Sequence, residues 1–195
     1  MKLILLRHGI TEANEKHLYC GATDIGLSEA GKEALLRRKA QITYPDISGL
    51  RVVTSGMKRC EETLCILYGD IPHETDAAFR EMYFGAFETR SYEELKNDPA
   101  YIDWISGDNE ANVAPGGESG RLMTQRVLLG LDRIMSAGRD TLLVTHGGVI
   151  AAIMSRLFPA EQKNRYEWQP APGGGYLIDC AGRQYDDACH IVSKK

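Results

Sequence analysis

Cysteine is sparse and unpatterned in this sequence. Cys20, Cys60, Cys65, Cys180 and Cys189 are odd in number, and no two form a CxxC pair. They read as reduced thiols, not as a disulfide framework or a zinc site. Long hydrophobic runs are also missing, so nothing approaches the ~20 apolar residues of a membrane-spanning helix. The opening Leu3 to Leu6 stretch is shorter than the ~7–15 apolar residues of a secretory signal, and Arg7 ends it. Positive charge is not in excess. The 23 Lys and Arg against 27 Asp and Glu leave a formal net charge of −4, and no global field recruits nucleic acid or an anionic membrane. An anionic small molecule would have to be gripped by a local group of Arg and His. Internal repeats, low-complexity tracts and linker-like segments are absent as well. The expectation is a cytoplasmic protein of one domain, residues 1–195, whose partner is a small molecule.

What the chain does contain is an alternation of short apolar runs and helical patterns. Lys2 to Leu6, Arg51 to Thr54 and Thr141 to Val144 read as buried strands. Ser28 is a good N-cap for a helix carrying Ala34, Leu35 and Leu36. Met57 to Tyr68 has helical spacing. Ser91-Tyr92-Glu93-Glu94 is a capping box, and Asp98-Pro99 puts proline at a first helical position. Ser119 to Ala137 is the longest predicted helix, with Met123, Val127, Leu131 and Ile134 on one face. Val149 to Leu157 reads as helix, and the stretch from Gly173 as one or two strands around Ala181-Gly182. The alternation predicts an α/β fold: a three-layer α/β/α sandwich with a mostly parallel central sheet and helices on both faces. Ligands of such sheets gather at the carboxyl ends of the strands.

Two strands end alike. Leu3 to Leu6 runs into Arg7-His8-Gly9, and Leu142 to Val144 into Thr145-His146-Gly147. Of the five histidines, only these two follow an apolar strand and precede glycine, which lets the backbone turn sharply and approach a ligand closely. If both strands are central and parallel, both imidazoles meet at one sheet edge. The plainer reading of either alone is a structural histidine. A third segment, Thr54-Ser55-Gly56-Met57-Lys58-Arg59, leads from a strand end into a helix, whose N-terminus favours anions. Arg59 adds a fork that grips phosphate in two places, or else lies on the helix surface. In a fourth, Phe79 to Gly85, Glu81 stands among aromatics. Apolar surroundings help a carboxyl keep its proton, as an acid catalyst needs; the alternative is a loop carboxylate paired with Arg80. Two histidines could also ligate a metal, but Arg7 beside His8 would repel a cation.

Arg7-His8-Gly9 with Thr11 and Asn14, Ser55 through Arg59 to Thr63, Glu81 with Phe84-Gly85, Pro115 to Ser119, and Thr145-His146-Gly147 occur in that order. The ordered set resembles the histidine phosphatase superfamily, the phosphoglycerate mutase-like proteins, from residue 3 to about 160. The resemblance implies that His8 is the nucleophile and becomes phosphohistidine. Arg7, Arg59 and a protonated or at least donating His146 would surround the transferring phosphoryl group, and Glu81 would protonate the leaving group and then activate water. It further implies substrate contacts from Gly9, Thr11, Asn14, Cys20, Gly21, Tyr83, Gly147 and Gly148, with no metal or cofactor, since arginines supply the charge.

Two features depart from the family pattern. Phe87-Glu88-Thr89 stands where many members have Trp-Glu-Gly, and Cys20-Gly21 where Gln-Gly or Thr-Gly is usual. The short stretch from Glu81 to His146 resembles the compact phosphatase branch rather than the longer mutases. Glu81-Met82-Tyr83-Phe84-Gly85, Tyr101 with Trp104, and Arg126-Val127 are similar to the α-ribazole-5′-phosphate phosphatases of cobalamin assembly. Broad sugar-phosphate and nucleotide phosphatases share most of these residues. His17, Tyr19, Tyr101 and Trp104 are candidates for touching the organic part of the substrate, ordinary packing being their other reading. A mutase, a silent phosphate-binding module and a homodimer all stay open at this point.

Overall fold

In chain order the computed structural model, which describes residues 1–108 and 110–188, contains β1 (Lys2–Arg7), α1 (Glu12–Glu15), α2 (Glu29–Gln41), β2 (Arg51–Thr54), α3 (Lys58–Tyr68), β3 (Glu74–Thr75), α4 (Tyr92–Leu95), α5 (Pro99–Ile105), α6 (Gly120–Ala137), β4 (Thr141–Thr145), α7 (Gly147–Leu157), β5 (Gly175–Asp179) and β6 (Gln184–Asp187). Short polar side chains fix where helices begin. The Ser28 hydroxyl accepts from the Gly31 N–H at 2.9 Å, the Ser119 hydroxyl from Leu122 at 3.1 Å, and the Asp98 carboxylate from Ala100 at 3.0 Å. Ser91 and Glu94 exchange both bonds of a capping box. Each cap stabilises its helix by about 1 kcal/mol.

The strands form one sheet in the order β3-β2-β4-β1-β5-β6. β3, β2, β4 and β1 pair in parallel, and the β5–β6 hairpin extends the sheet antiparallel from β1. Successive residues of β1 face opposite sides, as the two-residue period of a strand requires. Leu3 and Leu5 join Leu143, Met123, Val127 and Ile150 in one core against α6 and α7. Ile4 and Leu6 join Leu142, Val144, Leu35 and Leu64 in a second core against α2 and α3. These two cores make the three layers. β4 is buried along its whole length, as a central parallel strand covered on both faces must be. A third cluster, of Phe87, Leu95, Tyr101 and Ala114, has Tyr19, Phe84 and Trp104 packed against it.

The β3 strand has no counterpart in the sequence reading. It is two exposed residues, and its Glu74 pairs with Arg51 at 2.7 Å, a charged edge of the kind that discourages further pairing. Among the described residues no helix is long and apolar enough to cross a membrane. The four described cysteines form no disulfide, and Cys189 lies outside the described residues.

Thr89 holds φ at +61°, a left-handed conformation that costs a non-glycine residue about 1–2 kcal/mol. Its side chain is exposed, so replacing it removes little packing. Glycine would relieve the strain and give back part of the gain through a freer unfolded chain. Thr89→Gly is expected to raise stability by about 0.5–1 kcal/mol, measured by denaturant unfolding at neutral pH.

Candidate active site

The parallel pairing of β1 with β4 sets Arg7 opposite Thr145. The next residue on each strand is a histidine, and the two rings stand 5.1 Å apart, edge to face. The His8 backbone N–H donates to the Thr145 carbonyl at 2.9 Å. His8 Nδ1 donates to the Gly9 carbonyl at 2.7 Å, which places the ring proton on Nδ1 and leaves the lone pair on Nε2. Burial pushes the His8 pKa down to about 3, with the charges of Arg59 and Arg7 acting in the same direction. At neutral pH His8 is an uncharged imidazole with a free lone pair on Nε2.

His146 is fully buried at the N-cap of α7. Its Nδ1 accepts from Arg59 Nε at 3.3 Å, so its proton lies on Nε2, which donates to the Ser55 hydroxyl at 2.9 Å. Burial first, then the neighbouring charge of Arg59, hold its pKa well below the ordinary histidine value. The sequence expectation is a ring protonated or at least donating to phosphate; here the ring is neutral and its one N–H is engaged with Ser55. An anion arriving beside it would favour the charged ring and shift that balance.

Arg59 is not a surface arginine. It is 1% exposed, in the first turn of α3, with Nη1 donating to the Thr23 carbonyl at 3.0 Å and Nη2 to that of Gly21 at 2.7 Å. Arg7 Nη1 donates to the Pro170 carbonyl at 2.8 Å, while its buried Nε has no hydrogen-bond partner among the described residues. Burial lowers the Arg7 pKa, and Glu81 opposes that shift. Glu81 Oε2 accepts the Gly148 N–H at 3.0 Å, at the N-terminus of α7 where a carboxylate is favoured. Its other oxygen accepts from Met82 N–H at 2.9 Å. Arg80 turns elsewhere, its Nε donating to the Ser55 carbonyl at 3.4 Å.

Arg7, Glu81 and Gly148 line a cleft of about 330 Å³, whose lining does not include the buried His8, Arg59 and His146. Leu18, Tyr19, Met82, Phe84, Trp104 and Ile105 make its apolar wall, and Arg165, Tyr166 and Gln169 also face it. Among the described residues no group of three or more His, Cys, Asp or Glu is placed to hold a metal ion.

The remaining sequence candidates separate by position. Cys20, Tyr19 and Trp104 line the cleft. Gly147 lies so close to Arg7 and Gln169 that a Cβ would come within 2.7 Å of Gln169 Oε1. The side chains of Thr11 and Asn14 bond to each other's residues, as the capping box of α1. The Gly9 N–H is taken by Thr63 Oγ1 at 2.9 Å. Tyr83 does not line the cleft. It is 43% exposed, its backbone N–H donates to Glu118, and its neighbours Met82 and Phe84 take the wall positions. His17 is exposed and away from the cleft lining. Tyr101 is buried in the aromatic cluster, with its hydroxyl 2.6 Å from that of Tyr19.

The sequence profile described as histidine phosphatase superfamily (branch 1) matches residues 3–186. The chain belongs to that superfamily. A Salmonella typhimurium protein named adenosylcobalamin/alpha-ribazole phosphatase is 30% identical over 189 residues, spanning 93% of this chain and 92% of that one. The crystal structure of the alpha-ribazole phosphatase from Shigella flexneri matches with a TM-score of 0.80 at 26% identity, over 100% of this chain and 96% of that one. A phosphoglycerate mutase from Thermus thermophilus matches with a TM-score of 0.69 at 29% identity, over 92% of this chain and 93% of that one. As a histidine phosphatase, the protein is a hydrolase acting on a phosphorylated metabolite.

Several residues that position this histidine phosphatase site had no assigned role in the sequence. Arg126 donates to the carbonyls of Ala78 at 2.9 Å, Arg80 at 2.6 Å and Glu81 at 2.9 Å, and so holds the Glu81 loop. Arg165, Tyr166 and Gln169 come from the segment between α7 and β5, where no motif marks them.

A Cβ on Gly148 would come within 2.5 Å of Glu81 Oε1. Gly148→Ala is therefore expected to displace the carboxylate and lower kcat by about 10²-fold or more, with an unchanged circular dichroism spectrum. Wild-type kcat in that variant would show Glu81 to be dispensable. His8 titrates near 6.5 when unfolded and near 3 when folded, and His146 shifts the same way. The unfolded chain thus binds these protons first. Stability should be full above pH 6.5 and fall as pH drops from there toward 3, by up to about 1.4 kcal/mol per pH unit per ring. Denaturant titrations at a series of pH values, with His8→Asn halving the slope, would check this.

Proposed function

We propose that this single-domain, cytoplasmic protein is a metal-independent phosphomonoesterase working through phosphohistidine, with α-ribazole 5′-phosphate as its substrate. The observation that carries the proposal is the tautomer of His8, which leaves the lone pair on Nε2 of a ring that stands 5.1 Å from His146 and feels the charges of Arg59 and Arg7. Nε2 attacks phosphorus, the bond from phosphorus to the ester oxygen breaks, and the departing alkoxide takes a proton from Glu81, a carboxylate in the free site that takes up this proton from the monoanionic ester as it binds. The imidazolium so formed keeps its Nδ1–H on the Gly9 carbonyl, which disperses the new positive charge. Water then attacks phosphorus, Glu81 takes its proton, the nitrogen–phosphorus bond breaks, and phosphate leaves. Arg7 and Arg59 offset the charge on the equatorial oxygens throughout, a task a metal performs elsewhere. The unpaired Arg7 Nε supports this, because a phosphate oxygen would supply the missing acceptor.

Substrate choice rests on the wall. Tyr19, Phe84 and Trp104 offer flat apolar surface next to Arg7 and Glu81, suited to a phosphate ester whose organic part is an aromatic bicycle on ribose. The relatives named alpha-ribazole phosphatase support the same assignment. The mutase relatives favour a second reading, but a phosphoglycerate has no apolar part to set against that wall. The partner is a small molecule, with no nucleic acid or membrane involved.

The test is phosphate release from a panel of esters in the presence of chelator: α-ribazole 5′-phosphate, 3-phosphoglycerate, sugar phosphates and nucleotides. The expected result is release that survives the chelator, is abolished in His8→Ala, and has its highest kcat/KM on α-ribazole 5′-phosphate. Full activity in His8→Ala would remove the nucleophile. Exchange of phosphoglycerate isomers without free phosphate would establish the mutase instead.

A further inference from the structure

Glu88 collects more hydrogen bonds than a loop carboxylate needs. Its oxygens accept from the backbone N–H groups of Gly21 at 2.9 Å, Ala22 at 3.0 Å, Thr23 at 3.1 Å and Phe84 at 3.0 Å, and from the Thr23 hydroxyl at 2.6 Å. Three successive N–H groups converging on one anion form a nest. The carbonyls of the same loop do the opposite work. Those of Gly21 and Thr23 accept the two terminal nitrogens of Arg59, and the third donor of Arg59 reaches His146. The segment from Gly21 to Thr23 is thus a polar ribbon with an anion on its N–H side and a cation on its C=O side. Each charge polarises the peptide groups in favour of the other. The ribbon has little room to turn over, since a Cβ at Gly21 would meet the Met82 carbonyl at 1.5 Å.

We propose that Glu88 is a positioning residue for phosphoryl transfer: by anchoring the N–H groups of residues 21–23 it aims their carbonyls at Arg59 and so fixes the guanidinium against His146. Burial alone would raise the pKa of Glu88, but the bonds from Thr23, Ala22 and Phe84 outweigh it and hold the carboxyl below its ordinary value. The anchor is therefore charged across the neutral range. The same carboxylate ties the loop carrying Cys20 to the loop carrying Met82 and Phe84, so one residue sets both the guanidinium and part of the cleft wall. Glutamine cannot substitute, because its NH₂ would face N–H donors where an oxygen accepted them.

This inference rests on the reading that Arg59 grips the phosphoryl group, and a double-mutant cycle separates the two. Glu88→Gln, Arg59→Met and the double variant would be compared for the Kd of inorganic phosphate and for kcat/KM on a phosphomonoester, with Tm as a control for folding. The expected result is about a tenfold rise in phosphate Kd and about a tenfold or greater fall in kcat/KM for Glu88→Gln in the wild-type background. The same substitution should have almost no effect once Arg59 is gone. Equal losses from Glu88→Gln in both backgrounds would overturn the positioning role while leaving the Arg59 reading intact. An unchanged phosphate Kd in Arg59→Met would overturn both. Should Glu88→Gln fail to fold, Glu88→Asp, which keeps the charge and shortens the reach, enters the same cycle with the same criteria.

Discussion

β1 lies beside β4 with Arg7 opposite Thr145, and that register brings the rings of His8 and His146 together. A slip of one residue would turn each strand over and send the apolar residues of one core into the other. The two separate cores forbid it, because Leu3 and Leu5 fit against α6 and α7 while Ile4 and Leu6 fit against α2 and α3. Packing on both faces of the sheet, at about 1.5–3 kcal/mol for each fully buried leucine or isoleucine, therefore fixes the relation between two imidazoles that share no sequence neighbourhood.

The electrostatics follow from that placement. Two buried histidines stay neutral beside two arginines, so the site carries its positive charge on guanidinium groups, whose charge does not titrate near neutrality. A buried arginine is costly unless its donors are met. Arg59 meets that demand with two backbone carbonyls and a ring nitrogen, and this fixes its orientation before any ligand arrives. Preorganised donors of this kind do not have to reorient when charge develops on the substrate, which is what makes them effective.

Much of this was legible because it is local. Ser28, Ser91, Asp98 and Ser119 cap helices through bonds to residues two or three positions ahead, so the chain spells them out. The strand-His-Gly stretches around His8 and His146 were legible for the same reason, and their apolar runs marked buried strands, while their central, parallel place in the sheet was only a condition of that reading, which the pairing meets. Glu88 could not be read this way: its partners at Gly21 to Thr23 lie 65 to 67 positions away. Arg126 reaches the Glu81 loop from 45 or more positions off, and Gln169 faces the cleft from a segment with no periodicity. Tyr83 was misplaced because a loop offers no period to say which neighbour faces inward. β3 is too short and polar to leave a pattern. The state of His146 depended on which groups surround it in space, and spacing along the chain does not carry that.

The sheet order also has a history in time. β1 precedes β2 and β3 along the chain, yet both of its neighbours in the sheet, β4 and β5, lie beyond residue 140. Leu3 to Leu6 must therefore wait, unpaired and apolar, for on the order of ten seconds of synthesis before a partner strand exists. His8 is made long before β4, the strand that faces it, and waits for its surroundings until β4 arrives. Until then β1 is an extended apolar segment with no neighbour in the sheet, and a helper that shields such segments would have its clearest work there.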